Sequence, residues 1–109
     1  MLFDLPTAQS RVDRQATARA FHRVVRVIAR AEGLRPSELM GPTRGIASVA
    51  AARQTAMYLC HVAVGRSLTD VGRFFGRDRT TVAHACALIE DMREDPDFDQ
   101  RVEAIDQEL

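Results

Sequence analysis

The sequence predicts an all-α fold, a small helical bundle that contains a helix-turn-helix. Apolar residues recur with helical period along the chain, Gly or Pro separates the periodic stretches, and no strand-like alternation is present. The 109 residues, 46% hydrophobic and 28% charged, suit one globular domain with one core. We therefore expect a flexible N-terminal segment over 1–11, a helical domain over 12–95, and an acidic C-terminal helix over 96–109 that packs on the domain or trails it.

The first half of the chain predicts two long helices with a short helical turn between them. The first runs from Val12 to Glu32 and is ended by Gly33. Residues 35–40 predict the short turn, and a loop follows over 43–47. Ser48 is the expected N-cap of the second long helix. The apolar stripe of the first helix is Phe21, Val24, Val25 and Ile28, and that of the second is Val49, Ala56, Met57, Cys60, Ala63 and Val64.

The second half predicts a short helix, a tight glycine turn and a longer helix. Ser67 begins the short helix, Gly76 supplies the left-handed turn residue, and Asp78 caps the longer helix. Asp95-Pro96 breaks that helix, and a last short amphipathic helix follows. The expected inner residues of the three helices are Leu68, Val71, Gly72 and Phe75, then Val82, Ala85, Cys86 and Ile89, then Phe98, Val102, Ile105 and Leu109.

The formal net charge of zero conceals a strong asymmetry. All 15 basic residues are arginine; residues 1–77 hold 12 of them against five acidic residues, a net charge of +7. Residues 78–109 carry the opposite net charge, −7. Such a chain can present a basic face to an anionic partner although its overall charge is balanced. An arginine-rich genome and a solvating acidic tail would produce the same composition, so composition alone leaves both interpretations open.

Residues 67–93 have the arrangement of a helix-turn-helix, in which the first helix braces the second. The exposed start of the second helix would carry Arg79, Thr80 and Thr81, with His84 one turn further on. Arginine offers a donor fork to guanine, and threonine offers a hydroxyl group and a methyl group. The N–H groups of a helix N-terminus also favour phosphate. This segment therefore predicts contact with DNA.

Three segments, in the same order, resemble the C-terminal DNA-binding domain of the bacterial replication initiator DnaA. They are Arg53-Gln54 with Ala56-Met57-Tyr58-Leu59, Ser67-Leu68 with Val71-Gly72 and Phe75, and the run Phe75-Gly76-Arg77-Asp78-Arg79-Thr80-Thr81-Val82-Ala83-His84-Ala85-Cys86. A short turn, Pro36-Ser37-Glu38-Leu39, lies where that family has its own short turn before a basic loop. The resemblance covers residues 16–95.

The resemblance implies an all-helical domain that reads a short double-stranded DNA box near a replication origin. The recognition helix would enter the major groove, while the basic loop reaches an adjacent minor groove. The DNA-binding residues that it implies are Arg44, Arg53, Gln54, Arg77, Asp78, Arg79, Thr80, Thr81 and His84. The protein would then be a small regulator of replication initiation, with DNA and proteins of replication initiation as partners, in the cytoplasm at the nucleoid.

Departures from the family keep a second function open. Arg79 replaces the family's histidine, which preserves a donor but changes its length and charge. Positions that are often basic in the family are here Gly45, Ala47, Ala51, Ala87 and Leu88. Each lost phosphate contact weakens DNA binding. The alternative is a protein-interaction module that mimics the initiator's domain and binds the initiator's partners with weak DNA affinity. The phosphate-binding loop of an ATPase is absent from the sequence, so ATP-driven initiation is not expected.

Other function classes receive little support from the sequence. No nucleophile and base stand out as a pair, so we expect no enzyme and no cofactor. Cys60 and His61 are helix neighbours that point apart, which disfavours a metal site. The apolar stretches are too short for a membrane span. Leu2-Phe3-Asp4-Leu5-Pro6 is similar to the short hooks that dock on sliding clamps but lacks the leading Gln, and packing against the chain's own bundle is the favoured interpretation.

Overall fold

The computed structural model describes residues 7–42 and 47–109, with side chains from Arg11 onward, and this part of the chain contains helices and no strand. The prediction of an all-α fold is confirmed. The helices are α1 (Thr7–Glu32), α2 (Pro36–Met40), α3 (Ala47–Val62), α4 (Leu68–Phe75), α5 (Arg79–Met92) and α6 (Pro96–Glu108). Within the described ranges, none of these helices has the length and apolar character needed to cross a membrane.

Helix α1 packs its predicted stripe, Phe21, Val24, Val25 and Ile28, into the core. It nevertheless begins at Thr7, five residues before the predicted start at Val12. From Arg11 to Ala20 the side chains are mostly exposed, and Val12 is 64% exposed. Apolar periodicity reports only the packed part of a helix, whereas Ala, Arg and Gln continue a helix beyond it by their own propensity. The start of α1 was therefore invisible to the pattern.

Helix α3 is the central element and packs against α1, α2, α4 and α5. Its residues from Thr55 to Cys60 are all buried. Two details of its prediction are wrong. The helix already begins at Ala47, so Ser48 lies inside its first turn and does not cap it. It ends at Val62, which leaves Ala63 exposed and not on the inner face.

Helix α6 packs on the bundle through Val102 and Ile105, which are buried. Arg93, directly after α5, ties the two helices together: its guanidinium donates to Asp99 and to Glu103 of α6. Its Nη1 also donates to the hydroxyl of Tyr58, at 3.1 Å. The hydrogen bond to Asp99, and secondarily that to Tyr58, raises the pKa of Arg93 above its already high usual value. The C-terminal end of α5 is thus fixed to the acidic helix.

Candidate nucleic-acid interface

The turn between α4 and α5 is closed by backbone hydrogen bonds around Gly76. Gly76 has φ of 69°, in the left-handed region that glycine adopts without strain. The N–H of Arg77 donates to the carbonyl of Gly72 at 2.8 Å, and the N–H of Gly76 donates to that of Arg73 at 3.4 Å. This pair of bonds forms a Schellman motif. The turn that the sequence predicts at Gly76 is confirmed.

A close backbone approach at Gly72 fixes how α5 leaves the turn. A Cβ atom at this position would lie 2.5 Å from the carbonyl oxygen of Arg77. That oxygen belongs to the residue just before the cap of α5. Only glycine permits the approach, so Gly72 sets the distance between the two helices of the motif. The sequence placed Gly72 on the inner face of α4 but did not reveal this contact.

Asp78 begins α5 as the predicted N-cap. Its carboxylate accepts a hydrogen bond from the N–H of Thr81 at 2.9 Å. The hydrogen bonds from Thr81 hold the pKa of the Asp78 carboxyl below its usual value, and His84 adds a smaller attraction. Asp78 is therefore ionised at neutral pH, and its charge stabilises the first turn of α5.

The first turns of α5 present the predicted reading residues to the outside. Arg79, Thr80, Thr81 and His84 are all exposed. None of them is needed to complete the core, whose α5 residues Val82, Ala85 and Ile89 lie on the opposite face. The guanidinium, the hydroxyl groups and the imidazole can therefore reach base edges or phosphates without unfolding the helix.

A groove of about 290 Å³ lies between α3 and α5 beside these residues. Gln54 lines its α3 wall, and Thr81 and His84 line its α5 wall. Arg53 and Arg77 border it as well, so five predicted DNA-binding residues, from α3, α5 and the turn before α5, meet at one concave surface. The groove continues toward Leu88, which is 42% exposed.

Arg53 also borders this groove, but its side chain turns into the protein. The residue is only 6% exposed. Its Nε donates to the carbonyl of Leu39 at 2.8 Å, and its Nη2 donates to the carbonyls of Gly41 at 2.9 Å and Glu38 at 3.3 Å. Burial, and secondarily the charge of Arg77, lower the pKa of this guanidinium. The exposed face of α3 therefore does not carry Arg53 as sequence reasoning expected.

Arg77 is half-buried and bridges two segments. Its Nη1 donates to the carbonyl of Phe75 at 2.7 Å, and its Nη2 donates to the carbonyl of Gly41 at 3.4 Å. Two predicted DNA-binding arginines thus meet at one carbonyl oxygen. No pattern in the sequence links Gly41 to Arg77, which lies 36 residues further along the chain.

Three further predictions concern residues outside this groove or outside the described part of the chain. Arg44 and the segment Leu2 to Pro6 lie outside the described residues. Cys60 is buried and Cys86 half-buried, both as free thiols, and burial raises the pKa of each thiol. These two cysteines occupy apolar stripes of α3 and α5, as predicted for core positions.

A short bracing helix, a left-handed glycine turn and a capped second helix with exposed Arg and Thr define a helix-turn-helix domain. Residues 21–89 match the family described as the helix-turn-helix of the bacterial dnaA protein. This match covers well over half of the chain. The chain belongs to this family of DNA-binding domains.

The relatives that the chain resembles are replication initiators. It is 42% identical over 71 residues to the chromosomal replication initiator protein DnaA of Ruegeria sp. (strain TM1040), a match that covers 64% of this chain and 15% of the relative. It is 41% identical over 88 residues to that of Bradyrhizobium sp. (strain BTAi1), covering 79% and 18%. The chain therefore spans less than a fifth of these relatives.

A crystal structure described as a DNA replication initiation factor has the same fold. The superposition has a TM-score of 0.83 and covers 93% of this chain and 31% of that one, at 24% sequence identity. At this level of identity the likeness concerns the fold. It extends the agreement beyond the helix-turn-helix to nearly all of the helical bundle.

Proposed function

We propose that this chain binds double-stranded DNA sequence-specifically, at boxes like those of a replication origin, and regulates replication initiation. The observation that carries the proposal is the exposed start of α5, where Arg79, Thr80, Thr81 and His84 project from a helix fixed by the cap and the turn. Family membership supports DNA binding in general. The role places the protein in the cytoplasm, at the nucleoid.

Within this proposal Arg79 is the main donor to the major groove. It is the first residue of α5, it is exposed, and it stands beside the capped N-terminus, where the helix dipole favours a phosphate or an electronegative base edge. Thr80 and Thr81 follow it on the exposed first turn. Gln54 faces the same groove from α3 and would contact the DNA strand that runs along that wall.

The test is a binding titration of the wild type, Arg79→Ala and Arg101→Ala on a DnaA-box duplex and on a scrambled duplex, at two salt concentrations. Arg101 is an exposed arginine of α6, so its substitution makes the same charge change away from α5. We expect Arg79→Ala to weaken box binding by about 1–3 kcal/mol, as for a bidentate base contact, with little change on the scrambled duplex. Arg101→Ala should bind like the wild type. Equal, weak binding of the wild type to both duplexes would refute the proposal.

A second function is favoured by the outer face of α5 beyond His84. Leu88 and Met92, one helical turn apart, are 42% and 36% exposed, and Ala87 beside them is also exposed. This face offers apolar contact area and no cation, which suits a protein partner better than phosphate. The second candidate is therefore an interaction module that binds proteins of replication initiation.

Two substitutions at one position separate the candidates. Leu88→Lys adds a cation beside the groove, so DNA binding should strengthen and its salt dependence should steepen by about one unit of slope. Leu88→Ser leaves the charge unchanged and removes apolar area. If the protein is an interaction module, Leu88→Ser should lose binding to purified initiator protein, measured by calorimetry, while neither the wild type nor Leu88→Lys prefers the box over the scrambled duplex.

A further inference from the structure

We propose that Arg53 and Arg77 are positioning residues that lock the end of α2 to the start of α5 through the carbonyl of Gly41, and that they do not contact DNA themselves. The inference rests on the proposed function, because the two walls of the groove matter only if DNA is read there. It assigns a different role to two arginines that the sequence groups with the DNA-binding residues.

Arg53 closes the C-terminal end of α2. Helix α2 has five residues, and its last carbonyls have no partner within so short a helix. Two of them, from Glu38 and Leu39, accept hydrogen bonds from Arg53, and so does the carbonyl of the C-cap residue Gly41. Because the residue is only 6% exposed and its guanidinium is already committed to these three carbonyls, little of it is open to a phosphate group in the groove. The side chain of Arg53 therefore fixes the position of the end of α2 relative to α3.

Arg77 completes the bridge from the other side. The two Nη groups of one guanidinium donate to two separate segments, Nη1 to Phe75 in the helix-turn-helix turn and Nη2 to Gly41 after α2. The next residue, Asp78, is the cap of α5. A planar, rigid fork therefore sets the distance between Gly41 and the start of the recognition helix.

The two guanidiniums also repel each other, since they converge on one oxygen. Loss of Arg77 removes two hydrogen bonds to carbonyls but relieves this repulsion, so the fold should tolerate the change. What the variant loses is the fixed spacing between the groove walls. Discrimination between DNA sequences depends on that spacing, whereas non-specific attraction to phosphates does not.

Lysine distinguishes a bridge from a phosphate contact. A lysine keeps the positive charge and can hold a phosphate, but its single ammonium group does not reproduce the fork that spans two segments. If Arg77 contacted phosphate, Arg77→Lys would retain most of the binding. If Arg77 is a bridge, Arg77→Lys should resemble Arg77→Ala.

The experiment compares the wild type, Arg77→Ala, Arg77→Lys and the exposed control pair Arg79→Ala and Arg79→Lys. Binding is titrated on box and scrambled duplexes over a range of salt, and circular dichroism checks that each variant is folded. Two signals are followed by NMR without DNA: the carbonyl carbon of Gly41, which reports its hydrogen bonds, and the amides of Thr80 and Thr81, which report the start of α5.

For both Arg77 variants we expect the preference for the box over the scrambled duplex to fall by roughly fivefold or more, with an unchanged salt slope. The Gly41 carbonyl and the Thr80 and Thr81 amides should shift in both. If instead Arg77→Lys keeps the box preference while Arg77→Ala lowers the salt slope by about one on both duplexes, Arg77 is a phosphate contact and the inference is wrong.

The failure of the proposed function looks different. In that case the wild type has no box preference at any salt concentration, and Arg53 and Arg77 have no positioning role in DNA recognition. The NMR signals still test the bridge by itself. A Gly41 carbonyl signal that does not move in Arg77→Ala overturns the bridge. A shift of that signal, together with a box preference that the wild type shows and both Arg77 variants lose, supports the full inference.

Discussion

Replacing Gly72 by alanine tests whether the approach of α4 to the turn sets the position of the recognition helix. The added Cβ would lie 2.5 Å from the carbonyl oxygen of Arg77, below the 3.0 Å that real Cβ contacts reach. The oxygen belongs to backbone and cannot swing aside like a side chain. The segment from Arg77 to Asp78 must therefore retreat by at least about 0.5 Å, the difference between these two distances.

Two opposing effects determine the stability of Gly72→Ala. Alanine in a helix interior is more favourable than glycine by about 0.5–1 kcal/mol. Overpacking against fixed atoms costs about 1–3 kcal/mol, and here the same shift stretches the 2.8 Å bond between the N–H of Arg77 and the carbonyl of Gly72. We expect a net destabilisation of about 1–2 kcal/mol, which lowers the melting temperature by roughly 4–16 °C, at about 4–8 °C for each kcal/mol in a domain of this size.

If α5 reads DNA as proposed, DNA binding should suffer beyond this loss of stability, because the proposed base contacts depend on the position of α5. We expect box affinity to fall on the order of tenfold or more at a temperature where the variant is fully folded. The matched control is Gly33→Ala: Gly33 has φ of +70° and open space around it, so alanine there is strained by about 1 kcal/mol without touching the turn. A Gly72→Ala protein with wild-type stability and wild-type box affinity would refute the reasoning.

Three further predictions concern the cap, the core and the C-terminal tie. The depressed pKa of Asp78 stabilises the fold above the usual carboxyl pKa of about 3.9, and this contribution is lost as the pH falls through the lower folded-state value. Asp78→Asn keeps a cap that does not titrate. Between pH 7 and pH 3 the melting temperature of the variant should therefore fall less than that of the wild type, and identical falls would contradict this. Leu39→Ala leaves a cavity at a fully buried position and should lower the free energy of unfolding, measured in urea, by about 2–5 kcal/mol. A decrease below about 1 kcal/mol would contradict the burial of this side chain. Arg93→Met removes the ion pairs with Asp99 and Glu103, whose side chains are partly exposed, so we expect the free energy of unfolding to fall by about 1 kcal/mol and the box affinity to stay unchanged. An unchanged melting temperature would show that these ion pairs do not contribute to stability.

Local rules predicted the helix-turn-helix correctly. The Gly76 turn and the Asp78 cap depend on residues within one or two turns of one another, and the structure confirms both. The inner stripe of α5 follows in the same way from helical period. These features are encoded by neighbours in the chain, so a single sequence is sufficient to find them.

The features that were missed depend on distant partners. An arginine in a helix has no local pattern that tells whether it projects outward, like Arg79 of α5, or turns inward, like Arg53 of α3. The difference lies in the carbonyls of α2, whose position relative to α3 no local rule provides. The contact of Gly72 with Arg77 was hidden for a related reason, although a glycine among the inner residues of a short helix is a usable signal of close approach.

The tie between Arg93 and α6 also has a consequence for how fast a complex forms. Helix α5 has 14 residues and is therefore about 21 Å long, with Arg79 at its beginning and the acidic helix fixed by Arg93 at its end. DNA, a polyanion, attracts the Arg79 end of α5 and repels the end beside α6. The protein would therefore approach DNA with the start of α5 already turned toward it. Under the proposed function, correct encounters then become more frequent at low ionic strength, while the lifetime of the complex depends on the short-range contacts proposed for the groove.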